Sequence, residues 1–183
     1  MRSLLLVSTI IATLASPDHT SERESLDPLL RSAAERVTTS DTVAEAKWGT
    51  GQPIDDPGRE QQVLDAVARK SLELGIDPEE AKRVFRDQIE ASKLVQRALH
   101  ERWAAHPDER PAERPDLGEI RPIIDRLNDE ILLELRDTRQ LRERPACGGR
   151  LTSAFQHTRT DLRLNCLHQL GLTRAIPSIC TRP

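Results

Sequence analysis

The 183-residue chain contains no tyrosine, two phenylalanines and two tryptophans. Stretches of strict polar and apolar alternation rich in β-branched or aromatic residues are missing as well, so the material for a β-sheet is not there. Cysteines never occur as a close pair, and His100, His106, His157 and His168 show no i, i+4 ligand spacing, which argues against a metal site. There is no glycine-rich phosphate loop, no nucleophile spaced with a base, and no isolated pair of acids. Past the N-terminus, no apolar run approaches the ~20 residues that a membrane-spanning helix needs. Nor is there an excess of positive charge: 27 basic residues stand interspersed among 30 acidic ones, which excludes nucleic acid as a natural partner.

What is present begins with Met1-Arg2 and an apolar run from Leu4 to Leu14 that closes on Thr13 and Ala15. This is the pattern of an export signal, with cleavage expected after Ala15 or Ser16. The expected organisation is a signal peptide over 1–16, a flexible mature N-terminus over 17–25, and one domain over 26–183. The mature protein would be secreted or periplasmic, away from the membrane, and one charge more negative than the −3 of the whole chain once Arg2 is removed. In an oxidising compartment three cysteines suggest one disulfide and one thiol. Cys147 and Cys180 bracket the last helical segment, where a cross-link would pin the C-terminus, and Cys166 falls within an apolar helical pattern as an expected buried thiol.

Apolar residues recur at helical spacing almost throughout, which predicts an all-α fold of about five to six helices around a core of Leu, Ile, Val and Ala. The first helix starts near Ser25 to Pro28 and carries Leu30, Ala33, Val37, Ala44 and Trp48 on one side, with a weak point at Thr38 to Thr42. Asp56-Pro57 opens a second helix that ends at Gly75, and Asp77-Pro78-Glu79-Glu80 opens a third that runs to about Ala105. A fourth is expected from Leu117 or Arg121 to Arg142, and a fifth from Leu151 to Leu170 with Gly171 ending it.

Arg36 and Lys47 are eleven residues apart, about three helical turns, and so share a face. A pocket or a solvated basic stripe would both give that spacing. Ser92 and Gln96 form an i, i+4 pair beside the apolar line of Phe85, Ile89, Val95, Leu99 and Trp103. Asp56, Arg59 and Glu60 fall within one turn at a helix start, where Arg59 is unfavourable unless solvent or an anion compensates it.

Together these positions resemble the all-helical chorismate mutases, most closely their secreted or periplasmic subclass. The resemblance is carried by Arg36-Val37, Lys47-Trp48, Pro53-Ile54-Asp55-Asp56, Arg59-Glu60, Phe85-Arg86-Asp87-Gln88-Ile89, Ser92, Gln96, Arg121 and Ile124-Asp125-Arg126-Leu127-Asn128, in that order. It spans about residues 26–180. It implies rearrangement of chorismate to prephenate without a cofactor, by a homodimer with a pocket in each chain. Arg36, Arg59 and Arg121 would bind the two carboxylates with help from Ser92. Lys47 and Gln96 would donate to the ether oxygen of the breaking bond, and Glu60, with Asp56 nearby, would receive the ring hydroxyl. Some secreted members have glutamate at the position of Gln96, and glutamine needs no proton to donate. Pro122 directly after Arg121 leaves the direction of Arg121 open. A catalytically silent relative that binds another small carboxylate or a protein partner would share the fold.

Overall fold

The computed structural model describes residues 25–180, so the expected signal peptide and its cleavage position lie outside it. Within the described residues the chain forms eight α-helices, one short 3-10 turn and no strand. Helix α1 (Asp27–Thr38) has Pro28 in its first turn, where the missing N–H has no partner to lose. Thr39 separates it from α2 (Ser40–Lys47) at the expected weak point. There the hydroxyls of Thr38 and Thr39 and the Thr39 N–H all donate to the carbonyl of Glu35, and this crowding interrupts the regular ladder. Asp56 caps α3 (Pro57–Glu73) and Asp77 caps α4 (Pro78–Ala105), both followed by proline as anticipated.

Helix α5 (Leu117–Asp137) starts from the Asp116 cap and runs through Pro122. The N–H that Pro122 lacks would have reached only the first-turn carbonyl of Gly118, so the helix tolerates it. Thr138 stops α5, and only a single further turn, α6 (Arg139–Arg142), carries the chain to the expected end.

The expected helix from Leu151 to Leu170 is corrected: it is two helices, α7 (Cys147–Asp161) and α8 (Cys166–Ala175). Arg163 takes the left-handed conformation, φ 49°, between them. The Leu164 N–H then bonds the Arg159 carbonyl at 2.9 Å, and the Arg163 N–H bonds that of Thr160 at 3.2 Å. Gly75 makes the same closure at the end of α3. Asn165 restarts the chain, accepting from the His168 N–H at 2.8 Å. Gly171 does not end a helix but lies inside α8, where an added Cβ would stand 2.7 Å from Val37 and 3.0 Å from Val95. Its bareness lets α8 lie close on α1 and α4. Cys166, expected to be buried, is an exposed free thiol because it falls in the first turn of α8, off the packed face. Cys147 and Cys180 are bonded as expected.

Helix α4, about 42 Å long at 1.5 Å per residue, is the spine: α8, α3, α2 and α1 all pack on it, while α5 and α7 pack on α1. The main core includes Leu29, Leu30, Ile131, Leu135 and Leu172 together with Phe85, the one fully buried aromatic in a largely aliphatic cluster of the described residues. A smaller cluster of Val43, Ala46 and Ile120, with Leu117 and Ile124 against it, ties α2 to α5. No described helix is long and apolar enough to cross a membrane.

Candidate active site

A cavity of about 310 Å³ opens between α1, α2, α3, α4 and α5 beside that smaller cluster. Its volume falls in the range of small-molecule sites, roughly 300–1,000 Å³. Val43, Val63, Ile89, Ile120 and Ile124 supply apolar wall, and all eight expected site residues line it: Arg36, Lys47, Asp56, Arg59, Glu60, Ser92, Gln96 and Arg121. The basic stripe on α1 and α2 is therefore pocket wall, although Thr39 divides the helix between its two cations.

Arg36 is buried, 7% exposed. Its Nε donates to Asn128 Oδ1 at 2.8 Å and one Nη1–H to the carbonyl of Gln88 at 3.1 Å. A guanidinium has five N–H groups, so three remain, enough for a two-bond grip on a carboxylate. Among the described residues no carboxylate lies within ion-pair distance of it. Burial accordingly pulls its pKa down to about 10, against the opposing field of Asp125.

Lys47 is placed by the close of α2. There Trp48 packs edge-on against His100 and Trp103 at 5.1 and 5.5 Å, and a His100 ring nitrogen meets the Ala44 carbonyl at 2.9 Å. Its ammonium donates to the carbonyls of Pro53 at 3.0 Å and Ile54 at 3.4 Å, leaving one N–H of three. Burial holds it below the ordinary lysine value, while Asp56, Asp55 and Glu60 pull the other way.

Gln96 is buried, and its amide nitrogen donates to Ser92 Oγ at 3.0 Å. Ser92 Oγ also accepts from Ser40 at 2.9 Å. The amide oxygen of Gln96 is buried with no hydrogen-bond partner. Asp56 spends one oxygen on the Arg59 N–H as helix cap. The Arg59 guanidinium is held only loosely, 3.4 Å from Gln62 and 3.9 Å from Asp125, so it is free to turn toward a ligand. Arg121 is exposed at the start of α5, but its side chain reaches the cavity.

Two charged residues at this site were given no role by the sequence. Lys93 lines the cavity on α4, 9% exposed, and Asp55 stands behind it. The only local signal was the i, i+3 spacing of Glu90 and Lys93, which ordinary surface pairs share. The described residues contain no group of three or more His, Cys, Asp or Glu side chains able to hold a metal ion.

The fold and cavity define an all-helical protein with a small pocket lined by several cations. Comparison with known proteins makes this specific: the family model for type II chorismate mutases matches residues 27–97, a stretch containing every expected site residue except Arg121. The secreted chorismate mutase of Mycobacterium tuberculosis is 34% identical over 177 residues, covering 97% of this chain and 87% of that protein. The one from Mycolicibacterium smegmatis is 35% identical over 180 residues, covering 96% and 99%. The crystal structure of chorismate mutase from Burkholderia phymatum superposes with a TM-score of 0.83 at 38% identity, covering 88% of this chain and 99% of that one. That from Burkholderia thailandensis gives 0.81 at 34%, covering 85% and 98%. The chain belongs to the chorismate mutase family.

Proposed function

We propose that the protein is an exported chorismate mutase that converts chorismate to prephenate within the cavity described above. The observation that carries this reading is the convergence of the eight expected residues, drawn from five helices of one chain, on a single cavity. The reaction is a one-substrate rearrangement in which the ether C–O bond breaks as a C–C bond forms, so a nucleophile is not required. Arg36, with three guanidinium N–H groups to spare, Arg59 and Arg121 grip the two carboxylates and fold the enolpyruvyl side chain over the ring. Orientation of this kind can lower a barrier by up to roughly 7 kcal/mol. The remaining N–H of Lys47 and the amide of Gln96 donate to the ether oxygen as negative charge builds on it, worth roughly 3 to 4 kcal/mol per well-aimed donor.

Turning the Gln96 amide by 180° suits this role. The Ser92 hydroxyl then donates to the amide oxygen, and the NH₂ takes the place where an oxygen now lies without a partner. Glu60 accepts the ring hydroxyl, with Asp56 holding the start of α3 that carries it.

Export is supported by the N-terminal pattern, with the leader ending near Ser16, and by the mycobacterial relatives, which are secreted chorismate mutases. Because the cavity draws on one chain alone, each protomer of a homodimer would carry a complete site, and specific activity should not fall on dilution.

The test is to mix mature protein with chorismate, follow loss of its ultraviolet absorbance, and convert the product with acid to phenylpyruvate. Folded protein without turnover would overturn the proposal and favour the silent relative. Lys47→Ala and Gln96→Ala should each lower kcat by about 100-fold or more while KM changes far less, since their bonds strengthen in the transition state.

A further inference from the structure

Lys93 brings a fifth cation to the cavity, and its surroundings differ from those of the other four. Its Nζ lies 3.2 and 3.4 Å from the two oxygens of Glu60, 3.3 Å from Asp55, and in close contact with Glu90. An ammonium has three N–H groups, and three carboxylates take them. Lys47 keeps one donor for a ligand; Lys93 keeps none. Its charge is also spent locally. Burial alone would lower the Lys93 pKa, but the hydrogen bonds it donates to Glu90, Glu60 and Asp55 outweigh that and hold the group above the ordinary lysine value.

The three carboxylates come from three parts of the chain. Asp55 belongs to the connection between α2 and α3, Glu60 to the first turn of α3, and Glu90 to α4, one turn from Lys93 itself. Arg97, one turn further along α4, holds Asp55 a second time at 2.6 Å. The pair of α4 cations therefore fastens the start of α3 to the spine at the cavity wall. Of the groups so held, Glu60 is the one whose side chain lines the cavity. Both of its oxygens face the ammonium, and each carboxylate oxygen retains a second lone pair that Lys93 does not use.

We infer that Lys93 is a positioning residue for Glu60: it fixes that carboxylate at the cavity wall as an acceptor for the ring hydroxyl and thereby sets the preference for a hydroxylated substrate. The inference rests on the proposed chorismate mutase reading. Without Lys93, Glu60 loses its hydrogen bonds to α4, with Arg97 left to act on it only through space, and it lies beside Asp55 and Glu90, whose repulsion turns it from the wall. A substrate offering a hydroxyl then loses its acceptor; one without a hydroxyl loses no bond.

The experiment compares chorismate with an analogue lacking the ring hydroxyl, using wild type, Lys93→Met, Glu60→Gln and the double variant, with thermal melting to verify folding. Lys93→Met should raise KM for chorismate and lower kcat/KM by at least about tenfold more than it does for the analogue, the size expected when a charged hydrogen-bond partner is lost. In the Glu60→Gln background the same change should add less than about threefold, because the group it acts through is already neutral. Lys93→Arg, which keeps the charge and the donors, should recover most of the discrimination. Equal losses on both substrates, or losses that multiply in the double variant, would overturn the inference and leave Lys93 a merely structural cation. Should Lys93→Met not fold, Lys93→Gln must show the same substrate split or the inference fails. Wild type inactive on chorismate would remove the underlying reading as well, whereas an active wild type with multiplicative losses removes the inference alone.

Discussion

Arg36 and Arg142 are both sunk into the helical core, 7% and 1% exposed, and they are held in opposite ways. Arg142 pairs with Glu80 and donates to the carbonyls of Leu135 at 2.8 Å and Ile179 at 3.2 Å, joining α4, α5 and the C-terminal segment. Arg36 has an amide and a carbonyl for company and its nearest opposing charge, Asp125, acts only through space. A buried charge with its own carboxylate is a structural clasp. One supplied only with neutral acceptors keeps N–H groups that an anion from outside could take, which is what the proposed function asks of Arg36. Burial strips solvent from both side chains, so exposure alone does not separate the two roles; the carboxylate that Arg142 has and Arg36 lacks does.

The sharpest way to break this comparison is to remove both charges in turn. Arg36→Met should lower kcat/KM by about 1,000-fold or more, on the scale of losing a principal electrostatic contact, yet leave the unfolding midpoint unchanged or higher. The sign follows from linkage. With the folded-state pKa drawn down to about 10, the guanidinium stays charged at neutral pH, and the burial cost persists until pH rises through that value. A lowered midpoint would make Arg36 a clasp after all. Arg142→Met should do the reverse. Leaving the half-buried Glu80 without its cation costs up to about 3 to 5 kcal/mol, read by denaturant titration, while kcat of the folded fraction stays within about twofold.

Reduction of the Cys147–Cys180 bond frees the segment that Arg142 holds through Ile179. Opening a loop with a separation of 33 residues should cost about 3 to 4 kcal/mol in chain entropy. Combined with Arg142→Met, the loss should be smaller than the sum, because both fasten one segment. The smallest expected effect is on pH dependence. Arg36, drawn down only to about 10, remains a cation at neutral pH, and Gln96 does not titrate, so kcat should vary less than about threefold between pH 5 and 8, with Lys47, which burial holds below its ordinary value, the group whose charge weakens as pH rises further. A steep change in protein that stays folded would point to a titrating donor that the cavity does not otherwise reveal.

Much of this frame is legible in the sequence because the chain marks its turns chemically. Asp56-Pro57, Asp77-Pro78 and Gly75 each combine residue types suited to one backbone geometry, and the helices start and stop there. Arg163 shows what stays hidden. It makes the same left-handed closure as Gly75, but arginine has no preference for positive φ, so the turn is imposed by packing on either side and Asn165 was the only clue. Gly171 misleads in the opposite sense, since a glycine near a helix end suggests a cap, whereas the contact it permits with Val37 and Val95 comes from other helices. The candidate site divides similarly. The expected residues that line the cavity stand in recognisable order, while Lys93 reads as one more lysine on a charged helix until Asp55 and Glu60 fold against it.

The unmatched guanidinium also decides what the empty protein meets in a test tube. Under the proposed role, any small dianion of suitable shape, inorganic phosphate and sulfate among them, competes with substrate for the Arg36 N–H groups. The apparent affinity for substrate is therefore partly a property of the buffer: constants measured in phosphate will be weaker than those measured in a cationic amine buffer with chloride, and inhibitors should be ranked within a single salt.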